Sequence, residues 1–426
     1  MLTPTTIRLT SAAADFSPTT ESLHALDAVN FFLAGVLAGF GPYVAVYLAD
    51  QKWTQEKIGI VLSASALAGL LSQVPGGELL DVIRSKRTIV ALGAVVVALS
   101  ATIIEFQSTF PLVLLGLTLQ GITGGILAPA IAAISLGLVG HSTLPERLGR
   151  NQRFAATGSL AAAALMGVIG YAVSYRAIFL LVIALTLPLF VALARIHGDD
   201  IHFGRSCGAP HHHTPDLPAR AQRTSLWKSP GLVVFGACLF FFQLANASVL
   251  PLVGETLIYQ GDSHSSLIIA ALIVMPQIIV AVMAPWVGKQ AKNWGRRPLL
   301  LIGLGALPIR VLLFTLVTDP ALLLLFQVLD GISGAVIGVL TALVIADLTN
   351  GTGRFNLSQG LVGTASGIGA TLSTAVFGLI AASFGHTVVF LGIASVALLA
   401  VLIASFAMPE TRPLITHRSP VGRAVL

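Results

Sequence analysis

The sequence predicts an all-α membrane protein, with twelve transmembrane helices in two pseudo-symmetric six-helix bundles. Three observations predict it. The first is composition: of 426 residues, 55% are apolar and 10% charged, whereas a soluble domain carries roughly 25% charged residues. Such a chain cannot cover its surface with charge, and a bilayer is its natural solvent. The second is a set of twelve apolar stretches, each near the length of about 20 residues that crosses a hydrocarbon core. The third is an internal repeat. Leu119-Gln120-Gly121-Ile122-Thr123-Gly124 returns about 210 residues later as Leu329-Asp330-Gly331-Ile332-Ser333-Gly334. Each copy is followed by a Gly-Arg step, Gly149-Arg150 and then Gly353-Arg354, and Phe31-Phe32 precedes Pro42 as Phe240-Phe241 precedes Pro251.

In chain order, residues 1–22 are Ser/Thr-rich with one base, Arg8, and lack the parts of a signal peptide. They read as a cytoplasmic tail. Apolar stretches at 23–49, 57–80, 88–106, 110–139, 151–173 and 176–195 make a first bundle over 23–196. Residues 197–229 are polar, contain Pro and His, and read as a flexible cytoplasmic linker. A second bundle, 230–408, holds stretches 230–258, 265–288, 298–317, 320–347, 357–383 and 386–408, before a cytoplasmic tail at 409–426. Helices are expected because only helices and closed barrels satisfy the backbone in lipid, and these runs lack the alternation of barrel strands. The 42 glycines and the run Ala161–Ala164 supply small residues for close helix packing. Pro42, Pro129, Pro251 and Pro276 are expected to kink their helices. Cys207 falls in a polar loop and Cys238 in a span, so no disulfide is expected between them.

Orientation follows from the bases. With both termini in the cytoplasm of a bacterial-type inner membrane, 20 of the 24 Lys/Arg fall on the cytoplasmic side. Only Lys52, Lys57 and Arg176 fall opposite, and Arg310 stays within a span. This asymmetry is a positive-inside signal and supports the count of twelve. It also explains the net charge of +6 through topology and contact with membrane lipid, so no nucleic-acid partner is expected.

Two loops carry a family resemblance. Between stretches two and three the chain reads Gly77-Glu78-Leu79-Leu80-Asp81-Val82-Ile83-Arg84-Ser85-Lys86-Arg87. Between stretches eight and nine it reads Gly288-Lys289-Gln290-Ala291-Lys292-Asn293-Trp294-Gly295-Arg296-Arg297. Both resemble the cytoplasmic signature of the major facilitator superfamily: a Gly, an acid four residues on, a turn Gly and paired bases. The first copy has Arg84 in place of the turn Gly, and the second has Lys292 in place of the acid. The resemblance implies a secondary transporter in which Asp81, near a helix end, helps to latch the cytoplasmic gate. The alternative is that these bases only enforce topology.

Ionisable residues at membrane depth are costly and point to function. Arg310 and Asp330 lie on neighbouring antiparallel spans at depths about 5 Å apart, so they can pair. That pair either fixes two helices statically or breaks when a proton or substrate binds. Asp330 stands where the first half has Gln120, which suits a single proton-coupling site. Asp27 either caps its helix and faces the cytoplasm or relays protons. Glu105 and Asp347, near span ends, are expected to be solvated. Asn30, Gln73, Gln120, Gln243, Asn246, Gln277 and Gln327 are candidates for cargo contact or for helix-to-helix hydrogen bonds. Gln243 and Asn246 share a helix face, equivalent by the repeat to Ala34 and Leu37.

His202, Cys207, His211, His212 and His213 (with His197) form the one metal-like cluster, in donors that suit zinc, nickel or copper but at no closed-site spacing. No metal is therefore expected, and a metal-sensing linker is the alternative. The chain has no phosphate-binding Gly-Lys-Ser/Thr loop, no nucleophile elbow and no paired metal ligands in its spans, which argues against ATP-driven transport and against an enzyme. Repeats in a polytopic protein place a pathway between halves. The expectation is a monomeric secondary transporter for a small organic solute, driven by the proton gradient without a bound cofactor, with export favoured over uptake. Gly158, Gly167 and Gly170 resemble only in part the span-five pattern of drug exporters, because the Gly-Pro pair is missing. A sensor of transporter fold or a passive channel are the other readings.

Overall fold

The computed structural model describes residues 18–40, 42–106, 109–209, 229–259, 265–317 and 319–412. Among the described residues the regular structure is helical, without strands. The first half comprises α1 (Thr20–Ala38), α2 (Pro42–Asp50), α3 (Gln55–Val82), α4 (Lys86–Phe106), α5 (Phe110–Ala172) and α6 (Tyr175–Ala194). A 3-10 turn, Gly198–Asp200, and α7 (Phe203–Ser206) follow. The second half comprises α8 (Pro230–Asn246), α9 (Val249–Tyr259), α10 (Ser265–Asn293), α11 (Arg296–Leu316), α12 (Pro320–Leu348), α13 (Phe355–Phe384) and α14 (His386–Ala407).

Among the described residues, eleven helical segments are long and apolar enough to cross a membrane. One of them, α5, has 63 residues and would run about 95 Å if straight, three times a hydrocarbon core. It doubles back instead. Gly140 takes φ 66 and ψ 179, a region essentially reserved for glycine, and Asn151 Nδ2 donates to Ser135 Oγ at 2.7 Å from sixteen residues away. The fold therefore makes twelve passes. The first and seventh passes are each broken: Pro42 opens α2, and Pro251 lies in the first turn of α9.

Within the first half α1 and α4 pack on α5 and α6, and α3 packs on α5; within the second, α11 packs on α12 and α14, and α8 on α13 and α14. The halves meet where α3 lies on α13 and α5 on α10 and α12. The repeated phrase performs the same packing in each half. Gly121 sits against the Ser65 carbonyl of α3, and Gly331 against Pro276 and Ile279 of α10, where any Cβ would collide with its neighbour. Small residues thus set the closest helix approaches.

The first part of the linker departs from the flexible segment expected. Residues 197–209 pack against the bundle: His202 N donates to the Gly137 carbonyl, Gly351 N and Gly353 N donate to Gly208 O, and Phe355 N donates to Cys207 O. Asp200 accepts from the Thr19 and Ser22 hydroxyls at 2.6 Å each. Backbone and hydroxyl donors are available there, so the segment orders as a strap across both halves. Residues 210–228, with His211, His212 and His213, lie outside the described residues, as do the tails before 18 and after 412.

Candidate functional site

The loop residues of the repeated signature make matched contacts at one end of the bundle, here termed the basic end. Gly77 packs against the Asn356 carbonyl at the start of α13, and Gly288 against the Pro145 carbonyl at the start of the returning limb of α5. The first base of each copy turns back to the helix before it. Lys86 Nζ donates to Ile83 O at 2.6 Å and also to Leu80 O, and Arg296 Nη1 donates to Ala291 O at 2.6 Å. The second base of each copy reaches the end of the last helix of its own half: Arg87 donates to Ile196 O and Arg297 to Ser405 O. Cations are favoured at helix C-termini, where carbonyls lack partners. Gly295 takes φ 95, while Arg84, in the equivalent turn, has no positive φ, so the first copy turns without a glycine.

The two acid positions form crossed latches between the halves. Asp81 accepts from Asn356 N at 3.1 Å, Leu357 N at 3.0 Å and Asn356 Nδ2 at 2.9 Å. It thereby caps the N-terminus of α13 from the opposite half, where a carboxylate is favoured. Lys292 Nζ lies 2.8 Å from Glu146 Oε1 at the start of the returning limb of α5. The charges are inverted but the geometry is kept.

Three acids sit differently from their expected places. Asp27 neither caps α1 nor faces water; it is buried and ion-paired to Arg147 and Arg150 at 2.5 Å each. Arg147, also buried, donates further to Asn151 Oδ1 at 2.7 Å and to Leu23 O at 3.1 Å. Asp347 is buried against Arg296 at 2.8 Å, and Glu105 lies 3.7 Å from Arg176, so neither is simply solvated. Taking a charge out of water requires such a partner.

In the second half Arg310 and Asp330 form an ion pair in which Arg310 is 3% exposed and Asp330 25%. Arg310 Nη2 also donates to Asn246 Oδ1 at 2.6 Å, and Gln327 Nε2 donates to Leu272 O at 3.2 Å and to Asp330 Oδ2 at 3.4 Å. Asp330, Gln243, Asn246 and Gln277 share the wall of a cavity of about 200 Å³; Gln327 lies buried behind it. A second cavity of about 400 Å³ lies between the halves and is lined by Asn30, Ala34, Leu37 and Gln73. A third, of about 380 Å³, is lined by Ser65, Gln73 and Gln120. Ser65 Oγ donates to Gln120 Oε1 at 3.2 Å, and Asn30 Nδ2 to Leu26 O at 2.7 Å. Gly338 lines the first and second cavities, and Gln73 the second and third, so the three adjoin across the bundle.

The family model described as Major Facilitator Superfamily matches residues 26–307 and 235–425. The chain belongs to the major facilitator superfamily. It is 36% identical over 388 residues to an uncharacterized MFS-type transporter of Mycobacterium tuberculosis, covering 91% of this chain and 93% of that protein. It is also 30% identical over 165 residues to the class B tetracycline resistance protein of Escherichia coli, covering 38% of this chain and 40% of that one. Among solved structures it is similar to the proton:xylose symporter XylE bound to 6-bromo-6-deoxy-D-glucose, with TM-score 0.70, 16% identity, and coverage of 92% and 96% of the two chains. The protein is thus an integral membrane protein of a transporter family with the major facilitator fold.

For this superfamily member, several site residues were not singled out by sequence. Asn151, Gln152, Thr341 and Gln359 line the central cavity, yet they fall at or near stretch boundaries where solvation accounts for polarity. Glu410 Oε1 accepts from Arg296 N at 2.8 Å, closing α11 from beyond the last span. Asn356 presents two of the three N–H donors that Asp81 holds, and Leu357 the third. A polar residue one or two positions after a Gly-Arg step was the available signal for Asn151 and Asn356. Among the described residues no group of His, Cys, Asp and Glu could hold a metal. Cys207 is buried, donating to Asp81 O at 3.3 Å, and burial pushes its thiol pKa up.

Proposed function

We propose that this protein is a proton-coupled secondary transporter that exports a small organic solute across the cytoplasmic membrane by alternating access. The single observation that carries the reading is the Arg310–Asp330 pair in a cavity wall beside the cavity between the halves. Asp330, and not Arg310, lines the smaller of these cavities, so a proton arriving there neutralises the carboxylate and releases Arg310 to Asn246. The helices carrying the pair, α11 and α12, then lose their electrostatic tie, while Arg310 keeps α11 on α8 through Asn246. The proton gradient is the driving force and no bound cofactor is needed. The basic end is the cytoplasmic end by the positive-inside rule, and the unit that transports is a monomer.

The crossed latches support a closed basic end, with Asp81 on α13 and Lys292 on Glu146. Opening requires their release, which is how the halves would expose the cavity to alternate sides. Export is favoured by the partial likeness to a tetracycline resistance protein. The test is purified protein in liposomes with an internal pH dye, screened against pooled metabolites and drugs beside Asp330→Asn. Solute-dependent proton flux that disappears in Asp330→Asn supports the reading. Flux unchanged in the variant removes Asp330 from coupling, and absence of flux with every pool contradicts coupled transport.

A further inference from the structure

We propose that Gln73 and Gln359 form a two-sided recognition site for a neutral solute carrying an amide-type donor–acceptor pair. The inference rests on the reading that the central cavity holds cargo, and it names that cargo's chemical class. The polar lining of the cavity is Asn30, Gln73, Asn151, Gln152, Thr341 and Gln359, and no ionisable side chain lines it among the described residues. An ion entering would lose its hydration without a counter-charge to replace it, a penalty of many-fold in affinity. A neutral solute enters freely, and Leu33, Leu37 and Ile131 receive its apolar part.

The two glutamines differ from the other amides. Gln73 Oε1 and Gln359 Nε2 are buried and have no protein hydrogen-bond partner, whereas Asn30 and Asn151 are engaged. Buried polar groups are almost always paired, and those that are not call for an explanation. Here one half of the protein holds an unpaired acceptor and the other an unpaired donor, both turned away from the open space in this conformation but on residues that line one cavity. A terminal amide torsion is broad and two-fold, so either group can turn its oxygen or its NH2 to the solute. An amide or lactam edge supplies the complementary N–H and C=O.

The position adds a consequence. Gln73 is on α3 and Gln359 on α13, at the closest approach of the halves. The Gln73 carbonyl lies against Gly360, and its side-chain oxygen against Gly363. A solute held by both amides therefore joins the halves across the seam that opens in alternating access.

The probe is benzamide, compared with benzoate and benzylammonium by saturation-transfer NMR on the purified full-length protein. Benzamide is expected to bind and its charged analogues not to bind. Gln73→Leu and Gln359→Leu are each expected to weaken it about three- to tenfold. A Gln73→Glu variant, which keeps a polar group in place, is expected to gain benzylammonium binding; it provides the reading if the leucine variants do not fold. No benzamide binding to the wild type, equal binding of a charged analogue, or undiminished binding by the folded leucine variants would overturn the inference. Proton flux with another solute, beside failed benzamide binding, sinks only this site; benzamide binding without any flux sinks only coupled transport.

Discussion

Asp330 and Arg310 leave different gaps when removed. Loss of Asp330 strands a nearly inaccessible guanidinium with Asn246 as its remaining partner, whereas loss of Arg310 leaves a carboxylate that is one-quarter open to a cavity. Breaking a buried pair by one member is strongly destabilising, because the survivor is an uncompensated charge. Asp330→Asn is expected to lower stability by about 3 kcal/mol, Arg310→Gln by less, and the double variant by less than Asp330→Asn alone. Thermal unfolding in detergent measures all three, and a larger loss in Arg310→Gln would contradict the account. This pair was legible in the sequence because counting residues from the span ends places the two within about 5 Å of each other in depth. The partners of Asp27 were not legible. Arg147 and Arg150 read as loop bases that set topology, and only the reversal at Gly140 carries them back onto α1. The same limit hid Glu410, whose contact with α11 joins positions over a hundred residues apart in sequence.

At the scale of elements, the twelve passes were visible as apolar stretches, and the repeat announced two related halves. What sequence could not supply was the join between α5's limbs or the order in the strap. Gly140→Ala places a side chain in a backbone region essentially limited to glycine and is expected to destabilise by about 1–3 kcal/mol, read by thermal unfolding. The strap predicts a pH response. Burial pulls the Asp200 carboxyl up, but bonds from Ser22 and Thr19 outweigh it and hold its pKa below the ordinary value. A depressed carboxylate contributes stability above its unfolded pKa and loses it as pH falls through the folded one. Exchange of the α1 backbone amides near Thr19 is therefore expected to accelerate only in the acid range below the ordinary carboxylate pKa, and Asp200→Asn to show that fast exchange at neutral pH. The Lys292–Glu146 contact predicts a charge-swap result. Lys292→Glu opposes two acids across the seam and is expected to expose the basic end to a membrane-impermeant thiol reagent at an engineered cysteine. Adding Glu146→Lys is expected to restore protection; because exposed pairs contribute little alone, Lys292→Ala should change little.

For the whole molecule, Gly77 and Gly288, Lys86 and Arg296, and Arg87 and Arg297 make matching contacts, which show one plan used twice. The halves touch through backbone at α3–α13 and α5–α10, with Asp81 holding two amides of the opposite half. The transport cycle proposed above requires this seam to be bistable, with its glycine contacts and cap made together and released together. The central claim is that this end opens and closes as a unit. Ser85 and Asn350 are exposed, lie at the basic end and belong to opposite halves. Spin labels on cysteines at these two positions, read by pulsed dipolar spectroscopy in liposomes, measure the claim most directly. The account predicts one short distance in the wild type and a second, longer population in Asp81→Ala. A single short distance that persists in Asp81→Ala, at every pH and in Asp330→Asn, would contradict it.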